Sequence, residues 1–351
     1  MENKKVLLGM SGGVDSSVSA ILLKEMGYEV IGCTMKLWEG EKEVTEKSIE
    51  DAKKVCKILG IEHHVIDLQD KFRCNVINTF IKEYQNANTP NPCIECNKYI
   101  KFGEFFEQAD KLGCKYVATG HYSRIEYSEK YGQYVLKKAR EEKKDQSYFL
   151  YTISKEKLSR IIFPLQNYTS KDEIREIAKK IDLPVAEKKD SQEICFIPDG
   201  NYTEFLKTYA NQKNKKGNII LKDGTKLGEH QGYINYTIGQ RKGLGISYKV
   251  PLYVIKLDEN KNQVIVGTEE DLYQKELQGK NINWIIEPKN KEIECFAKIR
   301  YRAKEAKAKV IIEDNNSVKV KFEEDQRAIT KGQSVVFYDE DGIVLGGGKI
   351  I

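Results

Sequence analysis

Short apolar runs alternate with helix-spaced apolar positions along the first half of the chain. The runs Val6–Gly9, Glu29–Met35, Glu62–Leu68 and Tyr116–Thr119 have the length of strands. The segments between them repeat apolar residues at intervals of three and four, which is typical of amphipathic helices. This order predicts an α/β fold, in which an N-terminal parallel sheet carries helices on both of its faces. Such sheets bind ligands beyond the carboxyl ends of their strands.

The pattern changes in the second half of the chain. Residues Ile125–Lys138 alternate about Tyr131-Gly132, which predicts a hairpin, and beyond about Asn201 short alternating runs are separated by glycine-rich turns. The tail from about Leu277 predicts an all-β module that closes as a small barrel. We therefore expect an α/β domain, a small central β-rich domain and a C-terminal β-barrel, over residues 1–203, 204–274 and 275–351.

Composition sets limits without indicating a function. The 351 residues are 40% hydrophobic and 32% charged, and the formal net charge of +5 is too small to indicate a nucleic-acid partner by itself. No apolar run approaches the roughly 18 residues that a membrane span needs. The first residues enter a strand pattern without the apolar core of a signal peptide. We expect a cytoplasmic protein with no membrane partner.

Eight cysteines in a chain of this length do not indicate a disulfide framework. Five of them stand in apolar strand or helix patterns and are predicted to be small core residues: Cys33, Cys56, Cys74, Cys114 and Cys295. The other three, Cys93, Cys96 and Cys195, stand in polar or proline-containing segments. Unusual cysteine spacing in an intracellular protein points to catalysis or to metal binding.

The first predicted strand leads into a glycine- and serine-rich loop and then into a helix, with the sequence Met10-Ser11-Gly12-Gly13-Val14-Asp15-Ser16-Ser17. Two glycines let the backbone approach an oxyanion closely, and the helix N-terminus offers free N–H groups. Asp15 could hold a magnesium ion or orient neighbouring groups. An ordinary serine-capped turn is the alternative, but the full string favours a phosphate site. The lysine of a Walker A loop is absent.

The segment Asn91-Pro92-Cys93-Ile94-Glu95-Cys96-Asn97-Lys98 precedes a helix. A cysteine in the first helical turn, beside Lys98, should have its thiolate stabilised by the helix dipole and by that charge. Half of a zinc site is the alternative, but no second CxxC or histidine pair completes four ligands. Cys195 follows the polar leader Lys189–Ile194 and precedes a Pro-Asp-Gly turn, which indicates a loop, although a buried strand cysteine is the more common case.

The loop string resembles the PP-loop of the ATP pyrophosphatases, which are adenine nucleotide alpha hydrolase-like in fold. Six strings in order resemble, over essentially the whole chain, the tRNA-specific 2-thiouridylases of bacteria, the MnmA family. They are the loop itself, Asn91–Phe102, Thr119–Tyr122, Lys144–Tyr148, Ser191–Phe196 and Tyr236–Gly243. The resemblance implies that ATP binds the first domain and that tRNA binds the barrel.

The resemblance also implies residue roles. The phosphates of ATP, with Mg²⁺, would lie on Gly9, Met10, Ser11, Gly12, Gly13, Val14, Asp15 and Ser16, and the adenosine between Met35 and Gly120. Asp15 would assist catalysis. ATP would adenylate O2 of the wobble uridine, position 34, of tRNAs such as those for Lys, Glu and Gln. Cys195 would carry a persulfide loaded by a relay protein or a cysteine desulfurase, and Cys96 would be the second nucleophile, leaving a disulfide.

The tRNA contacts implied by the resemblance fall in two sets. A flipped target base would meet Asn91, Pro92 and Cys93. The remaining contacts would be His121, Lys144, Asp145, Gln146, Arg300, Tyr301 and Gln333. Arg300-Tyr301 pairs a guanidinium with an aromatic ring, which suits a phosphate and an unstacked base.

One residue departs from the family string: Cys93 stands where that string has Asp. The downstream register assigns the nucleophile to Cys96 but leaves Cys93 available, and three thiolates, from Cys93, Cys96 and Cys195, could hold an iron–sulfur cluster. We rank that cluster below the persulfide route. Two other functions stay open: a PP-loop ligase that adenylates a small molecule, and an RNA-binding sulfur carrier that uses ATP as a switch.

Overall fold

The computed structural model of the chain describes residues 3–40, 42–188, 193–210, 215–314 and 316–351. Most of the polar leader before Cys195, residues 189–192, lies outside the described residues. Within them, no helix has both the length and the apolar composition to cross a membrane.

The described strands are β1 (Lys5–Gly9), β2 (Glu29–Lys36), β3 (Glu62–Asp67), β4 (Tyr116–Ala118), β5 (Arg124–Ser128), β6 (Gln133–Lys137), β7 (Ile161–Ile162), β8 (Gly217–Leu221), β9 (Lys226–His230), β10 (Tyr253–Asp258), β11 (Gln263–Gly267), β12 (Tyr273–Trp284), β13 (Glu292–Lys298), β14 (Ala306–Asp314), β15 (Ser317–Arg327), β16 (Ser334–Tyr338) and β17 (Val344–Ile350). The α-helices are α1 (Val14–Glu25), α2 (Lys42–Leu59), α3 (Gln69–Phe72), α4 (Asn78–Gln85), α5 (Pro92–Glu95), α6 (Phe105–Lys111), α7 (Lys155–Leu158), α8 (Lys171–Lys180) and α9 (Tyr202–Tyr209). Two π-helical segments, Arg73–Ile77 and Cys96–Glu104, join α3 to α4 and α5 to α6.

The N-terminal sheet is parallel, with the strand order β3-β2-β1-β4-β7. Its four longer strands confirm the predicted ones. The fifth, β7, has two residues, which is too short to produce a periodic signal. Because β1 is the middle strand, the loop that follows it lies at the centre of the carboxyl edge of the sheet. Open α/β sheets bind their ligands at that edge.

Helices cover both faces of this sheet, as the pattern predicts. Side chains on a strand alternate between faces. Val6 and Leu8 of β1 therefore pack in one buried cluster with Val18 of α1. Leu7, between them, packs in the opposite cluster with Phe105 of α6. Truncating a buried leucine such as Leu7 to alanine would cost about 2–5 kcal/mol.

The second half of the described chain is β-rich. Strands β5 and β6 form the predicted hairpin, and β8 to β11 form a mixed sheet in the order β10-β11-β8-β9. Strands β12 to β17 close a six-stranded barrel. On β15, Val318, Val320 and Phe322 are buried in the barrel, whereas Lys321 faces solvent, so the alternation that predicts a barrel strand fills its interior.

Four of the five cysteines predicted as core residues are buried: Cys33, Cys56, Cys114 and Cys295. The prediction for Cys74 is wrong, because this residue is exposed. Phe72, Val76 and Phe80 form the buried side of their helical segment. Cys74 is two positions after Phe72, and at about 100° per residue it points to the opposite side.

The barrel is docked against the parallel-sheet region by buried polar contacts. The Tyr148 hydroxyl donates to the carbonyl oxygen of Ser334 at 2.9 Å, and the Tyr151 hydroxyl lies 3.0 Å from Ser334 Oγ. From strand β12, Asn283 Nδ2 donates to the carbonyl oxygen of Tyr151 at 2.7 Å. The Thr89 N–H donates to the carbonyl oxygen of Lys331 at 2.9 Å, which ties the barrel to the chain just before Cys93 and Cys96.

Candidate active site

The loop after β1 folds back on the start of α1. Gly12 has φ = +66°, and a Cβ there would lie 2.5 Å from the carbonyl oxygen of Ser48, so side chains are excluded on two grounds. The Ser11 N–H donates to Ser16 Oγ at 3.2 Å. The first N–H groups of α1 have no acceptors within the helix, so this turn can receive an anion.

Donors from the interior occupy the carbonyl oxygens of the loop. Lys188 Nζ donates to the carbonyl oxygen of Gly12 at 2.9 Å and also pairs with Asp51 at 2.8 Å. Ser16 Oγ and Ser17 Oγ both donate to the carbonyl oxygen of Gly13, at 3.0 and 2.9 Å. These bonds neutralise oxygens that would otherwise repel a phosphate, and they hold the loop in one shape before any ligand arrives.

Asp15 is held by two donors. Its Oδ1 accepts from the Tyr122 hydroxyl at 2.8 Å and from Lys171 Nζ at 2.5 Å. Lys171 is the first residue of α8, which Ser170 caps by accepting from the Asp172 N–H at 3.1 Å. The carboxylate thus fixes a lysine beside the loop, and this supports the orienting role that was one of its two predicted roles.

The other residues predicted to meet ATP surround the same turn. A Cβ on Gly9 would lie 3.6 Å from Met35 Cε and 3.7 Å from Thr119 Cγ2. A Cβ on Gly120 would lie 3.1 Å from the backbone and Cβ of Asp15. The structure therefore places the ends of β1, β2 and β4 together around the start of α1.

His121 follows directly and is buried with both ring nitrogens engaged. Its Nδ1 lies 2.7 Å from Thr119 Oγ1, and its Nε2 lies 3.5 Å from Lys101 Nζ. Burial, and then the charge of Lys101, lower the pKa of His121 well below 6.5, so the ring is neutral. A neutral ring accepts from the Lys101 ammonium at Nε2 and donates from Nδ1 to Thr119. His121 thus links the strand end to Lys101, and its contact with tRNA stays a prediction.

Cys93 and Cys96 lie near the start of one continuous helical segment, 92–111, which is formed by α5, a π-helical segment and α6. Asn91 caps it by accepting from the Cys93 N–H at 3.2 Å, and Pro92 takes the first helical position. Cys93 is therefore in the first turn and is exposed, whereas Cys96 is in the second turn and is buried.

The expected stabilisation of the Cys96 thiolate is wrong. Burial raises the pKa of Cys96 from 9.0 to about 11, which outweighs the opposing effect of a nearby lysine. That lysine is Lys101 rather than the predicted Lys98, whose ammonium lies 4.9 Å from the centre of the Tyr99 ring. A π-helix bonds residue i to i+5, and this brings Cys96 and Lys101 toward one side of the helix.

The Cys195 segment packs onto this helix. Cys96 belongs to the same buried cluster as Phe196 and Ile197, which flank Cys195 on its C-terminal side. The Phe196 ring lies 5.6 Å from that of Phe72 and 5.5 Å from that of Phe80. Cysteines that are far apart in the sequence are therefore brought to one place by aromatic packing.

Cys195 remains exposed at the residue level, although protein atoms surround its thiol. This burial, and then the neighbouring thiols of Cys96 and Cys93, raise the pKa of Cys195 to about 12 against the opposing charge of Lys101. Cys93 is likewise exposed as a residue while protein atoms surround its thiol, and this burial raises the pKa of Cys93, again against Lys101. The three thiols thus lie within electrostatic range of one another and of one cation. All eight cysteines are free thiols.

The same three thiols do not form a metal site as they stand. In the ranges that the structure describes, which include all three, no group of three or more His, Cys, Asp or Glu side chains is arranged to hold a metal ion. The iron–sulfur alternative stays a prediction.

The residues 144–146, predicted to contact tRNA, form a short turn beside Tyr122. Asp145 is buried and accepts from the Ala139 N–H at 2.9 Å and from Ser147 Oγ at 2.8 Å. Gln146 Oε1 accepts from the Tyr122 N–H at 2.9 Å. Lys144 is half-buried. Asp145 and Gln146 therefore hold the turn that supports Tyr122 and, through it, Asp15.

The predicted tRNA contacts on the barrel also have partners within the protein. The Arg300 guanidinium donates to the carbonyl oxygens of Ile238 and Ala328 at 3.1 and 3.0 Å, which joins the segment between β9 and β10 to the barrel. The Tyr301 ring packs 4.4 Å from that of Phe149. Gln333 Nε2 donates to the carbonyl oxygen of Thr89 at 2.7 Å, so it supports the entry to the cysteine helix.

Several residues of this site were not singled out from the sequence: Tyr122, Lys171, Lys188, Asp51 and Lys101. Tyr122 and Lys101 stand inside strings that match the family, so a signal was present for them. No pattern marks Lys188 or Asp51, since they meet the loop only through the fold.

Comparison with known proteins covers nearly the whole chain. Residues 4–199 match the family described as tRNA methyl transferase HUP domain, 203–268 the tRNA methyl transferase PRC-barrel domain, and 274–350 the aminomethyltransferase beta-barrel domain. The tRNA-specific 2-thiouridylase MnmA 1 of Caldanaerobacter subterraneus is 51% identical over 99% of this chain and 98% of its own length. The chain belongs to the tRNA-specific 2-thiouridylase family. The predicted family, fold class and enzyme class are confirmed.

Other relatives of this 2-thiouridylase family agree. MnmA 2 of Clostridium botulinum is 51% identical over 100% of this chain and 99% of its own length, and MnmA of Clostridioides difficile is 47% identical over 99% and 98%. Among solved structures, the U34-tRNA thiolase NcsA of Methanococcus maripaludis, described with its 4Fe-4S cluster, is 19% identical over 60% of this chain and 67% of that chain, with a TM-score of 0.36. A likeness this small carries no conclusion about a cluster here.

Proposed function

We propose that the chain replaces O2 of uridine 34 in tRNA with sulfur, in a reaction that consumes ATP and releases AMP and pyrophosphate. Oxygen at C2 of a pyrimidine is a poor leaving group. Transfer of the adenylyl group to that oxygen converts it into AMP, which leaves readily. A loop that supports attack on the α-phosphate has no need of a Walker A lysine.

The loop 9–16 would hold the phosphates of ATP, with the adenosine between Met35 and Gly120. Lys171 and the start of α1 supply positive charge beside the expected position of the phosphates. Asp15 holds Lys171 in place and is the residue that would bind Mg²⁺, whose charge would further neutralise the phosphates.

The sulfur would come from a persulfide on Cys195. In one order, the terminal sulfur displaces AMP from C2, and Cys96 then attacks Sγ of Cys195 and releases the thiolated base. In the other order, Cys96 first attacks Sγ of Cys195 and expels hydrosulfide, which then displaces AMP from C2. Either order forms one Cys96–Cys195 disulfide and transfers one sulfur atom. A reductant must then supply two electrons to reduce the disulfide. A relay protein or a cysteine desulfurase would reload Cys195. This reduction step fits a reducing compartment, the cytoplasm.

One observation carries the proposal: Cys96, the Cys195 segment and Lys101 lie together, and Lys101 is linked through His121 to Thr119, which adjoins the start of the phosphate loop. A carrier thiol, a resolving thiol and a nucleotide site at one sheet edge suit thiolation better than small-molecule ligation, which needs no paired thiols. The barrel would bind tRNA, with domains at 1–203, 204–274 and 275–351.

Mass spectrometry of nucleosides tests the proposal. Unmodified tRNA for Lys, Glu or Gln is incubated with the full chain, ATP, Mg²⁺ and a sulfur donor, then digested. We expect 2-thiouridine at position 34 and no product when ATP is replaced by an analogue that cannot be cleaved between its α- and β-phosphates. Formation of 4-thiouridine or thiocytidine, or no thiolated nucleoside at all, would refute the assignment.

A further inference from the structure

The resting site contains one thiol more than sulfur transfer requires. After transfer, Cys96 and Cys195 are joined, and Cys195 cannot accept another persulfide until that bond is broken. Cys93 is exposed, whereas Cys96, three positions later on the same helical segment, is buried. Residues three apart on a helix are neighbours, at a separation that a disulfide can span with a small adjustment.

We propose that Cys93 regenerates Cys195 by thiol–disulfide exchange, so that Cys93 and Cys96 act as an exposed–buried redox pair. The Cys93 thiolate attacks Sγ of Cys96. A Cys93–Cys96 bond forms, the Cys96–Cys195 bond breaks, and Cys195 leaves as a thiolate that takes up a proton. The exchange is redox-neutral. An external dithiol then reduces the Cys93–Cys96 bond and supplies two electrons and two protons. This inference rests on the proposed function.

Two features of the site favour this exchange over direct attack on Cys195 by the external dithiol. Cys93 is held beside Cys96 by the Asn91 cap, so the attack is intramolecular. Cys93, Cys96 and Cys195 all interact with the Lys101 charge, which stabilises attacking and leaving thiolates in one place. Cys93 is exposed, as Cys195 is, so an external dithiol can then reach the Cys93–Cys96 bond.

A disulfide map after one turnover tests the exchange. The persulfide-loaded full chain is freed of excess donor, incubated with ATP, Mg²⁺ and tRNA without reductant, quenched with N-ethylmaleimide and analysed as peptides. In the native chain we expect a predominant Cys93–Cys96 bond and a labelled Cys195. In Cys93→Ser we expect a Cys96–Cys195 bond and loss of Cys195 labelling.

Cys74→Ser is the matched control, because Cys74 is also exposed and should leave the map unchanged. A native chain that keeps predominantly the Cys96–Cys195 bond would overturn the inference, and this reading does not depend on the folding of any variant. Analysis of the nucleosides from the same samples distinguishes a failure of the proposed function from a failure of the exchange. Without 2-thiouridine the proposed function itself fails, whereas 2-thiouridine with a Cys96–Cys195 bond defeats the exchange alone.

Discussion

The phosphate loop and the cysteine centre meet at one sheet edge but handle charge in opposite ways. The loop is one contiguous segment, and the start of α1 and two ammonium groups, those of Lys188 and Lys171, each held by a carboxylate, lie beside it before a ligand binds. The cysteine centre is assembled from separate segments, and burial keeps its thiols protonated, with a pKa of about 11 for Cys96.

This difference has a chemical reason. ATP always carries its negative charge, so a prearranged positive site binds it at no further cost of reorganisation. A thiolate that is permanently exposed would instead react with any oxidant or electrophile. Burial outweighs the charge of Lys101 and keeps the thiols protonated and unreactive at rest. We expect them to ionise when tRNA and the persulfide alter the site.

The largest expected effect is on sulfur transfer. Cys96→Ser and Cys195→Ser should each lower 2-thiouridine formation by about a thousandfold or more, because a hydroxyl cannot replace a thiolate nucleophile. The loop is untouched, so tRNA-dependent pyrophosphate release should persist in both variants. Full thiolation by either variant would contradict the proposed roles of the two thiols.

The next effect concerns the loop and compares two glycines of positive φ. Gly12→Ala forces a side chain against Ser48, and a displacement of about 1 Å in a reactive site costs roughly a hundredfold in rate. We expect pyrophosphate release to fall by about that factor. Gly27→Ala, at the other end of α1, has φ = +80° and nothing within 4 Å of its added Cβ, so it should cost only about 1–2 kcal/mol in urea unfolding and leave the rate alone. Equal rates in both variants would contradict the account.

The smallest effect concerns Lys101. A thiol with a pKa of about 11 gains thiolate tenfold per pH unit between pH 7 and 10, so alkylation of Cys96 should rise at that slope. Lys101→Met removes an interaction that lowers the pKa, so the profile should move to higher pH and the rate at pH 8 should fall about threefold. Lys98→Met is the control and should not move the profile. A shift to lower pH in Lys101→Met would refute the role of this cation.

The comparison also shows which parts of the molecule the sequence can predict. The loop could be recognised because its function depends on one uninterrupted string, and the barrel because strands such as β15 alternate buried and exposed residues. The ionisation of Cys96 could not be predicted, since the buried cluster that holds it includes Phe196 and Ile197, a hundred residues later. The partnership with Lys101 depends on a π-helical turn, which has no sequence signature.

The internal partners of Arg300 and Gln333 were hidden for the same reason. Each bonds to a backbone carbonyl that is distant in the chain, at Ile238 and Thr89. No local sequence pattern predicts such a partner. Whether these side chains also contact tRNA stays a prediction.

The central claim is that the thiols of Cys96 and Cys195 meet in the folded chain. The most direct measurement is mild oxidation of Cys93→Ser without tRNA, so that Cys93 cannot intercept the bond, followed by alkylation and peptide mass spectrometry. We predict an intramolecular Cys96–Cys195 disulfide as the main product. Cys195 found only as a free thiol or joined to added small thiols, with Cys96 unmodified, would contradict the account.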